Sequence, residues 1–181
     1  MTTQTLPAGP EWFGHPRGLF VCFATEMWER FSFYGMKYLL VLFLVQHHLF
    51  TDGEALRILG AYAALVYAMP LLGGLVSDRY LGQTNAVKLG GILLVLGHCA
   101  MAFEGVPASQ TAAGAIVRDE QAISVFYFAL ALIVVGVGLL KPNISTVVGK
   151  LYGDNDPRRD GGFTIFYMGI NIGAASAALL C

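Results

Sequence analysis

The amino-acid sequence predicts an all-α membrane protein, and three observations support this fold class. Hydrophobic residues make up 56% of the 181 positions and charged residues 13%, whereas soluble domains carry about 25% charged residues. The mean hydropathy is +0.62. Five segments are apolar over the roughly 20 residues that a helix needs to cross a bilayer core, and none shows the alternation of a membrane β-strand.

The predicted spans are separated by stretches rich in Gly, Pro, Asp, Asn or Ser, a composition typical of loops. The first apolar segment is longer than a signal-peptide core of about 7–15 residues and lacks a small-residue cleavage pattern, so we expect it to be retained as a span. The predicted spans lie at about 17–46, 55–76, 85–104, 122–148 and 161–181.

Basic residues at the ends of the predicted spans set the orientation, because cytoplasmic flanks carry an excess of Lys and Arg. One set of flanks holds Arg17, Arg79, Lys88, Lys150, Arg158 and Arg159, and the other holds Arg57 and Arg118. We therefore expect residues 1–16 to be cytoplasmic and the protein to span the cell (inner) membrane several times. Because 173–181 is still apolar with no basic anchor, we expect an incomplete fifth span and an N-terminal fragment without its C-terminal half.

Charge and motif content exclude several function classes. The formal net charge of −1 and the pI near 6.4 give no basic excess for nucleic acid. Cys22, Cys99 and Cys181 lie in apolar runs and are odd in number, which is typical of small buried residues rather than disulfides. The sequence contains no catalytic triad, zinc spacing or phosphate loop, so we expect neither an enzyme nor a metal site.

Four ionisable residues interrupt the first span, namely Glu26, Glu29, Arg30 and Lys37. Each costs about 2.5–3.5 kcal/mol at a span centre, so such residues mark functional sites by default. At about 100° per residue, Glu26, Arg30, Phe33 and Lys37 share a stripe roughly 60° wide, with Glu29 beside it. Arg30 can pair with Glu26, which leaves a surplus acid whose proton affinity depends on a mobile cation. The alternative is a neutralised cluster that only holds helices together.

Polar residues also interrupt the fourth and fifth spans. Lys141 precedes Pro142 and Asn143, and the proline bends the helix and frees a carbonyl. Lys141 is a candidate for the mobile cation, although it can instead extend to the cytoplasmic edge. In the fifth span, Tyr167 and Asn171 are four residues apart and share a face, and the alternative role of Asn171 is bonding to a neighbouring helix.

Three sequence blocks resemble the proton-dependent oligopeptide transporters, a branch of the major facilitator superfamily. The first block is G-H-P-R-G-L-F-V-C-F-A-T-E-M-W-E-R-F-S-F-Y-G-M-K, which contains the E-x-x-E-R motif. Residues 73–82 are similar to the superfamily's G-x-x-x-D-R-x-x-G loop between helices two and three, and residues 163–173 resemble the fifth-helix signature. The resemblance implies the N-terminal helix bundle of this superfamily, in a protein that is monomeric when full length.

The resemblance also implies a function, which is symport of di- and tripeptides into the cell by alternating access. The proton is the coupling ion, and no cofactor is implied. Proton coupling would involve Glu26, Glu29, Arg30 and Lys141, with a salt bridge from Lys141 to the acids that breaks and re-forms. The peptide would be bound by Tyr34, Lys37, Tyr67, Lys141 and Asn171, with the two lysines attracting its carboxylate. A cytoplasmic conformational latch would be formed by Gly74, Asp78, Arg79 and Gly82.

The chain departs from the family pattern in some places. Many members have arginine at the position of Lys37, so a point charge replaces a bidentate fork. Phe33 stands where the family has a tyrosine, which removes a hydroxyl. We interpret His98 as a packing residue and His47 and His48 as an exposed loop pair, not as relays or metal ligands.

Two other functions stay open at this level. One is transport of nitrate or another small anion, which some family members carry. The other is a non-transporting membrane receptor or scaffold, in which the charges of the first span are structural and Tyr34 and Tyr67 are aromatic anchors at the bilayer edge.

Overall fold

The computed structural model describes residues 10–153 and 155–181, and five long helices account for most of them. The helices are α1 (Arg17–Gln46), α2 (Asp52–Val76), α3 (Gln83–Met101), α4 (Glu120–Lys150) and α5 (Arg159–Leu180). Two antiparallel hairpins of two-residue strands lie outside them, β1 (Glu11–Trp12) with β2 (His15–Pro16), and β3 (Ser109–Gln110) with β4 (Ile116–Val117). The predicted all-α fold class is confirmed. Residues 1–9 of the predicted N-terminal segment lie outside the described residues.

Four helices in the described part of the chain are long and apolar enough to cross a membrane. They are Asp52–Leu81, Gln83–Met101, Glu120–Lys150 and Arg159–Leu180. The remaining helix, α1, has 30 residues and is therefore about 45 Å long, which exceeds a bilayer core. It falls outside this apolar group because four ionisable residues interrupt its sequence.

Polar caps fix the starts of α2 and α4. The hydroxyl of Thr51 accepts the N–H of Glu54 at 3.3 Å, and the Glu54 carboxylate accepts the N–H of Thr51 at 2.9 Å, which forms a capping box. The Asp119 carboxylate accepts the N–H groups of Gln121 and Ala122, both at 3.1 Å. Both helices therefore begin before the apolar segments from which their spans were predicted.

The stretch 77–84 was predicted to be a loop, and that prediction is wrong. The chain continues from α2 into a π-helical segment, Ser77–Leu81, and α3 begins at Gln83. Only Gly82 breaks the helical path, with φ +72, a conformation that glycine adopts at little cost. Its N–H donates to the Ser77 carbonyl at 2.8 Å.

The chain divides into two compact units, and the divisions fall inside α1 and α4. Unit 1 comprises Met1–Met36 and Ile144–Cys181, and unit 2 comprises Lys37–Asn143. In unit 1, α5 packs on α1 at two glycines four residues apart. A Cβ on Gly169 would lie 3.0 Å from the Phe23 carbonyl oxygen, and one on Gly173 would overlap the Met27 carbonyl. Small residues thus allow close backbone approach, the usual packing of membrane helices.

In unit 2, glycines also allow neighbouring helices to approach the backbone of α4 closely. A Cβ on Gly90 would lie 2.7 Å from the Gly136 carbonyl oxygen, and one on Gly97 would lie 2.6 Å from Ile133 Cγ1. The contact of Gly73 with the Gly138 carbonyl is closer still. These contacts make α4 the helix on which both α2 and α3 pack.

A polar cluster links the end of α1 to the start of α4 in unit 2. Arg118 donates from Nε to the His48 carbonyl at 2.8 Å and from Nη2 to the Leu49 carbonyl at 2.9 Å, and its guanidinium lies 4.4 Å from the Phe50 ring centroid. The His48 ring is 1% exposed, so the prediction of an exposed histidine pair is wrong for this residue. Among the described residues, neither of its ring nitrogens has a hydrogen-bond partner.

The environment of His48 disfavours its protonated form. Burial lowers the pKa of the imidazole, and the charges of His47 and Arg118 lower it further, whereas Asp119 opposes them. His48 is therefore more basic in the unfolded chain than in the folded protein.

We expect unit 2 to lose stability in mild acid because of His48. As the pH falls below about 6.5, the unfolded chain takes up the proton first, and stability falls by about 1.4 kcal/mol for each unit of pKa lowering. Melting temperatures of the full-length protein in detergent, measured between about pH 7.5 and pH 5, should show this decrease. His48→Phe, which places an apolar ring among Phe43 and Phe50, should remove it.

His47→Gln is the matched control, because His47 is less buried and its Nε2 lies 3.1 Å from the Glu104 carbonyl. This variant should keep most of the acid-dependent decrease. An equal decrease in His48→Phe and in the unchanged protein would show that another group is responsible.

Candidate functional site

A buried cluster of charged side chains lies on α1 within unit 1. Glu26, Glu29 and Arg30 are each at most 6% exposed. The Arg30 guanidinium donates from both Nε and Nη2 to the Glu29 carboxylate, the second bond measuring 2.5 Å. Glu26 Oε1 lies 3.7 Å from Arg30 Nε, and the guanidinium lies 5.1 Å from the Phe33 ring centroid. Three charged or aromatic groups of one helix therefore surround a single cation.

The carboxylate that pairs most closely with Arg30 is not the one that the helical spacing predicts. The i,i+4 spacing favoured Glu26 as the direct partner of Arg30, whereas the bidentate partner is the adjacent Glu29. The planar fork of arginine matches a carboxylate at two points, and this geometry gives the stronger bonds. The cluster thus contains two carboxylates and one guanidinium.

The fifth helix contacts this cluster through a glycine. A Cβ on Gly173 would overlap the Met27 carbonyl and lie 3.0 Å from Arg30 Cβ. The backbone of α5 is therefore in contact with the same turn of α1 that carries the charges. A larger residue at this position would push on the arginine directly.

In unit 2 a second cation lies against an aromatic ring. Lys141 Nζ lies 5.5 Å from the ring centroid of Tyr67, within the range of a cation–π interaction. Because Pro142 has no N–H, it cannot donate to the carbonyl of Gly138 four residues earlier. The Cα of Gly73 lies against that carbonyl. The carbonyl freed by the proline is thus covered by the neighbouring helix.

The other predicted substrate residues lie on α1 and α5. Lys37 and Tyr34 are half-buried on α1, and the Tyr34 ring centroid lies 5.3 Å from that of Phe33. Asn171 is exposed on α5, and its Nδ2 donates to the Tyr167 carbonyl of the same helix at 3.3 Å. Tyr34 and Asn171 belong to unit 1 and Lys37 to unit 2. Their roles in peptide binding stay predictions.

The predicted latch residues lie at the α2–α3 connection. Asp78 and Arg79 are exposed in the π-helical segment, and the Arg79 guanidinium lies 5.4 Å from the Tyr80 ring centroid. Gly82 makes the turn, and Gly74 leaves room for Pro142, whose Cβ would lie 3.8 Å from a Cβ at that position. The latch role also stays a prediction.

Unit 2 contains a buried polar pair that the motifs do not predict. Ser77 and Asn143 are at most 2% exposed, and the serine hydroxyl donates to Asn143 Oδ1 at 2.6 Å. In the sequence, Ser77 directly precedes the D-R motif and Asn143 directly follows the K-P step, and these two polar positions in apolar helices are the signal that points to the pair. Their partnership depends on the packing of α2 against α4, which the spacing does not reveal.

Comparison with known proteins identifies the family. A sequence profile described as the POT family matches residues 84–181, which is more than half of the chain. The chain belongs to the POT family. This match confirms the family predicted from the three sequence blocks. The predicted helix bundle of the major facilitator superfamily is also confirmed. The chain is part of a multi-pass membrane protein.

Individual relatives agree with this assignment. The chain is 47% identical over 173 residues to the uncharacterised transporter YclF of Bacillus subtilis, with 93% of the chain and 32% of the relative covered. It is 44% identical over 177 residues to a di-/tripeptide transporter of Lactococcus lactis, with the same coverage. A crystal structure of a POT peptide transporter in complex with sulfate matches with a TM-score of 0.82 at 42% identity, covering 96% of this chain and 33% of that one. The chain thus spans about a third of the length of these POT relatives.

Gly173→Ala should destabilise the POT-family protein, because its Cβ would enter the backbone carbonyl of Met27 and neither backbone can yield freely. We expect a loss of about 1–3 kcal/mol, the usual cost of overpacking. Thermal unfolding of the full-length protein in detergent measures it.

Gly91→Ala is the matched control, because among the described residues nothing lies within 4 Å of its would-be Cβ. It sits inside α3, where alanine is favoured over glycine by about 0.5–1 kcal/mol. Equal melting temperatures for the two variants would show that the α1–α5 contact has room for a methyl group.

Proposed function

We propose that the full-length protein is a proton-coupled symporter that moves di- and tripeptides into the cell by alternating access. The buried cluster of Glu26, Glu29 and Arg30 is the observation that carries the proposal. A charged cluster inside a membrane helix is costly to maintain and is typical of proton pathways. The relatives of the chain are transporters, and one at 44% identity is a di-/tripeptide transporter.

We assign proton coupling to Glu26, Glu29, Arg30 and Lys141. The guanidinium of Arg30 stays charged at every accessible pH, so it always neutralises one carboxylate. The second acid of the cluster has a proton affinity that rises with burial and falls when a cation is near. Lys141 supplies such a cation in this proposal, and its position would then decide whether the cluster holds or releases its proton.

We assign peptide binding to Lys37 and Lys141 for the carboxylate, and to Tyr34, Tyr67 and Asn171 for the peptide backbone. A zwitterionic peptide requires a cationic subsite, and recognition of its ends leaves the side chains free to vary. The Tyr67 ring supports this assignment for Lys141, because a cation–π contact orients the ammonium. Lys37 attracts the carboxylate as a point charge.

The proposal extends to orientation. The N-terminal residues 1–16 lie in the cytoplasm, and the cell (inner) membrane is the location. Gly74, Asp78, Arg79 and Gly82 then form a latch on the cytoplasmic side. The exposed charges of Asp78 and Arg79 support this role, because they are accessible to a partner segment.

Proton coupling is tested by dipeptide uptake into liposomes that contain the full-length protein. Uptake should follow an inward proton gradient, and Glu29→Gln should reduce gradient-driven uptake at least about tenfold, because Glu26 must then balance Arg30 and the cluster loses its surplus acid. Glu104→Gln is the control, since Glu104 is exposed in the loop after α3. Uptake that ignores the gradient in the unchanged protein would refute symport. Lower stability of Glu29→Gln with unaltered proton dependence would indicate a structural role for the cluster.

A small anion is the second candidate substrate, because a POT relative was crystallised in complex with sulfate. We expect unlabelled di- and tripeptides to compete with a labelled dipeptide in the same liposomes, and nitrate to have no effect at equal concentration. The reason is that a nitrate ion has no amino terminus or peptide backbone to occupy the remaining contacts. Inhibition of labelled dipeptide uptake by nitrate as strong as that by unlabelled peptides would favour a small anion as the substrate.

A further inference from the structure

A buried hydrogen bond joins the end of α2 to α4 within unit 2. Ser77 Oγ donates to Asn143 Oδ1 at 2.6 Å, and the same hydroxyl lies 3.0 Å from the Gly74 carbonyl oxygen. The other end of the amide is also held, because Asn143 Nδ2 donates to the Leu139 carbonyl at 2.7 Å. Both ends of the Asn143 side chain are therefore fixed, one by its own helix and one by α2.

This bond lies beside two close contacts of the same helix pair. Gly73 lies against the carbonyl of Gly138, and Gly74 faces Pro142. Contacts made by glycine bring two backbones together, and the side chain of Met69 also lies against Gly138. A hydrogen bond between buried side chains is directional and strong in a low dielectric. The Ser77–Asn143 bond therefore favours one rotation of α4 against α2.

The rotation of α4 determines where Lys141 lies. Side chains reach about 5–6 Å from a helix axis, so a rotation of about 20° moves the tip of a side chain by about 2 Å. Lys141 Nζ is 5.5 Å from the Tyr67 ring centroid, close to the limit of about 6 Å for a cation–π contact. A small rotation is thus enough to remove this contact.

We propose that Ser77 and Asn143 are positioning residues that hold the Lys141 ammonium over the Tyr67 ring. Neither residue touches the peptide in this scheme. Their functional effect rests on the proposed peptide transport, in which Lys141 binds the substrate carboxylate. The positioning itself does not depend on the substrate and is measured separately.

The position of Lys141 is measured by nuclear magnetic resonance on the full-length protein, with lysines dimethylated with carbon-13. Dimethylation keeps the positive charge, and the Tyr67 ring shifts the methyl signal of a lysine held above it. Lys141→Arg identifies the signal by its loss, and Tyr67→Leu gives its position without the ring. Ser77→Ala should move the Lys141 signal at least half of the way to the Tyr67→Leu position. An unmoved signal would overturn the proposal.

Two further variants separate positioning from loss of the fold. Ser124→Ala is the matched control, because Ser124 is an exposed serine of α4 whose hydroxyl donates to the Glu120 carbonyl of the same helix. It should leave the Lys141 signal in place. The double variant Ser77→Ala with Asn143→Leu replaces both polar partners with apolar groups, which avoids a buried unpaired amide. It should fold and still show the displaced signal, and an undisplaced signal in the folded double variant would contradict the proposal.

The transport readout then tests the functional consequence. Ser77→Ala should raise KM for a dipeptide about fivefold, because the carboxylate subsite is displaced. An unchanged KM together with a displaced Lys141 signal would refute the functional part. Absence of peptide uptake by the unchanged protein would refute the proposed function instead, and the resonance result would still decide the positioning.

Discussion

The pairing of Arg30 with Glu29 inside α1 is the constraint on which the rest of unit 1 depends. A guanidinium cannot discharge itself by losing a proton, so its burial requires a carboxylate in fork geometry. In the proposed function, the second acid of the cluster makes it sensitive to protons and to cations. The arginine also needs to be shielded from lipid, and Gly173 allows α5 to approach closely enough to do so. The need to shield Arg30 from lipid thus explains why α5 has a glycine at position 173.

In unit 2 a proline of α4 creates a polar group that a glycine of the neighbouring helix α2 covers. Pro142 removes one backbone hydrogen bond of α4 and leaves the Gly138 carbonyl without its usual donor. Such a carbonyl is costly in a membrane unless another group covers it. The Cα of Gly73 lies there, and a Cα–H group against a carbonyl gives weak but real stabilisation. The resulting close approach of α2 and α4 brings Ser77 within hydrogen-bond distance of Asn143. The proline, the glycine and this hydrogen bond therefore stabilise the same helix contact.

The sequence was sufficient for properties that follow from composition and local spacing. The apolar segments predict the helices, and the interruption of α1 by charges predicts where a costly cluster must be stabilised. Properties set by tertiary packing were not accessible. The choice of Glu29 over Glu26 as the bidentate partner depends on side-chain rotamers, the burial of His48 depends on Arg118 seventy residues away, and the helical path through 77–81 depends on contacts with α4. Apolar spacing carries no information on any of these.

The buried guanidinium of Arg30 and the half-buried ammonium of Lys141 differ in what holds them. A carboxylate neutralises the guanidinium of Arg30, so this cation has little attraction left for a further anion. An aromatic face orients the ammonium of Lys141 through its quadrupole and does not cancel the charge. In the proposed function, the positive charge of Lys141 attracts the carboxylate of the peptide. The bidentate pairing of Arg30 with Glu29 is the reason why the proposed function assigns the carboxylate of the peptide to Lys141 and not to Arg30.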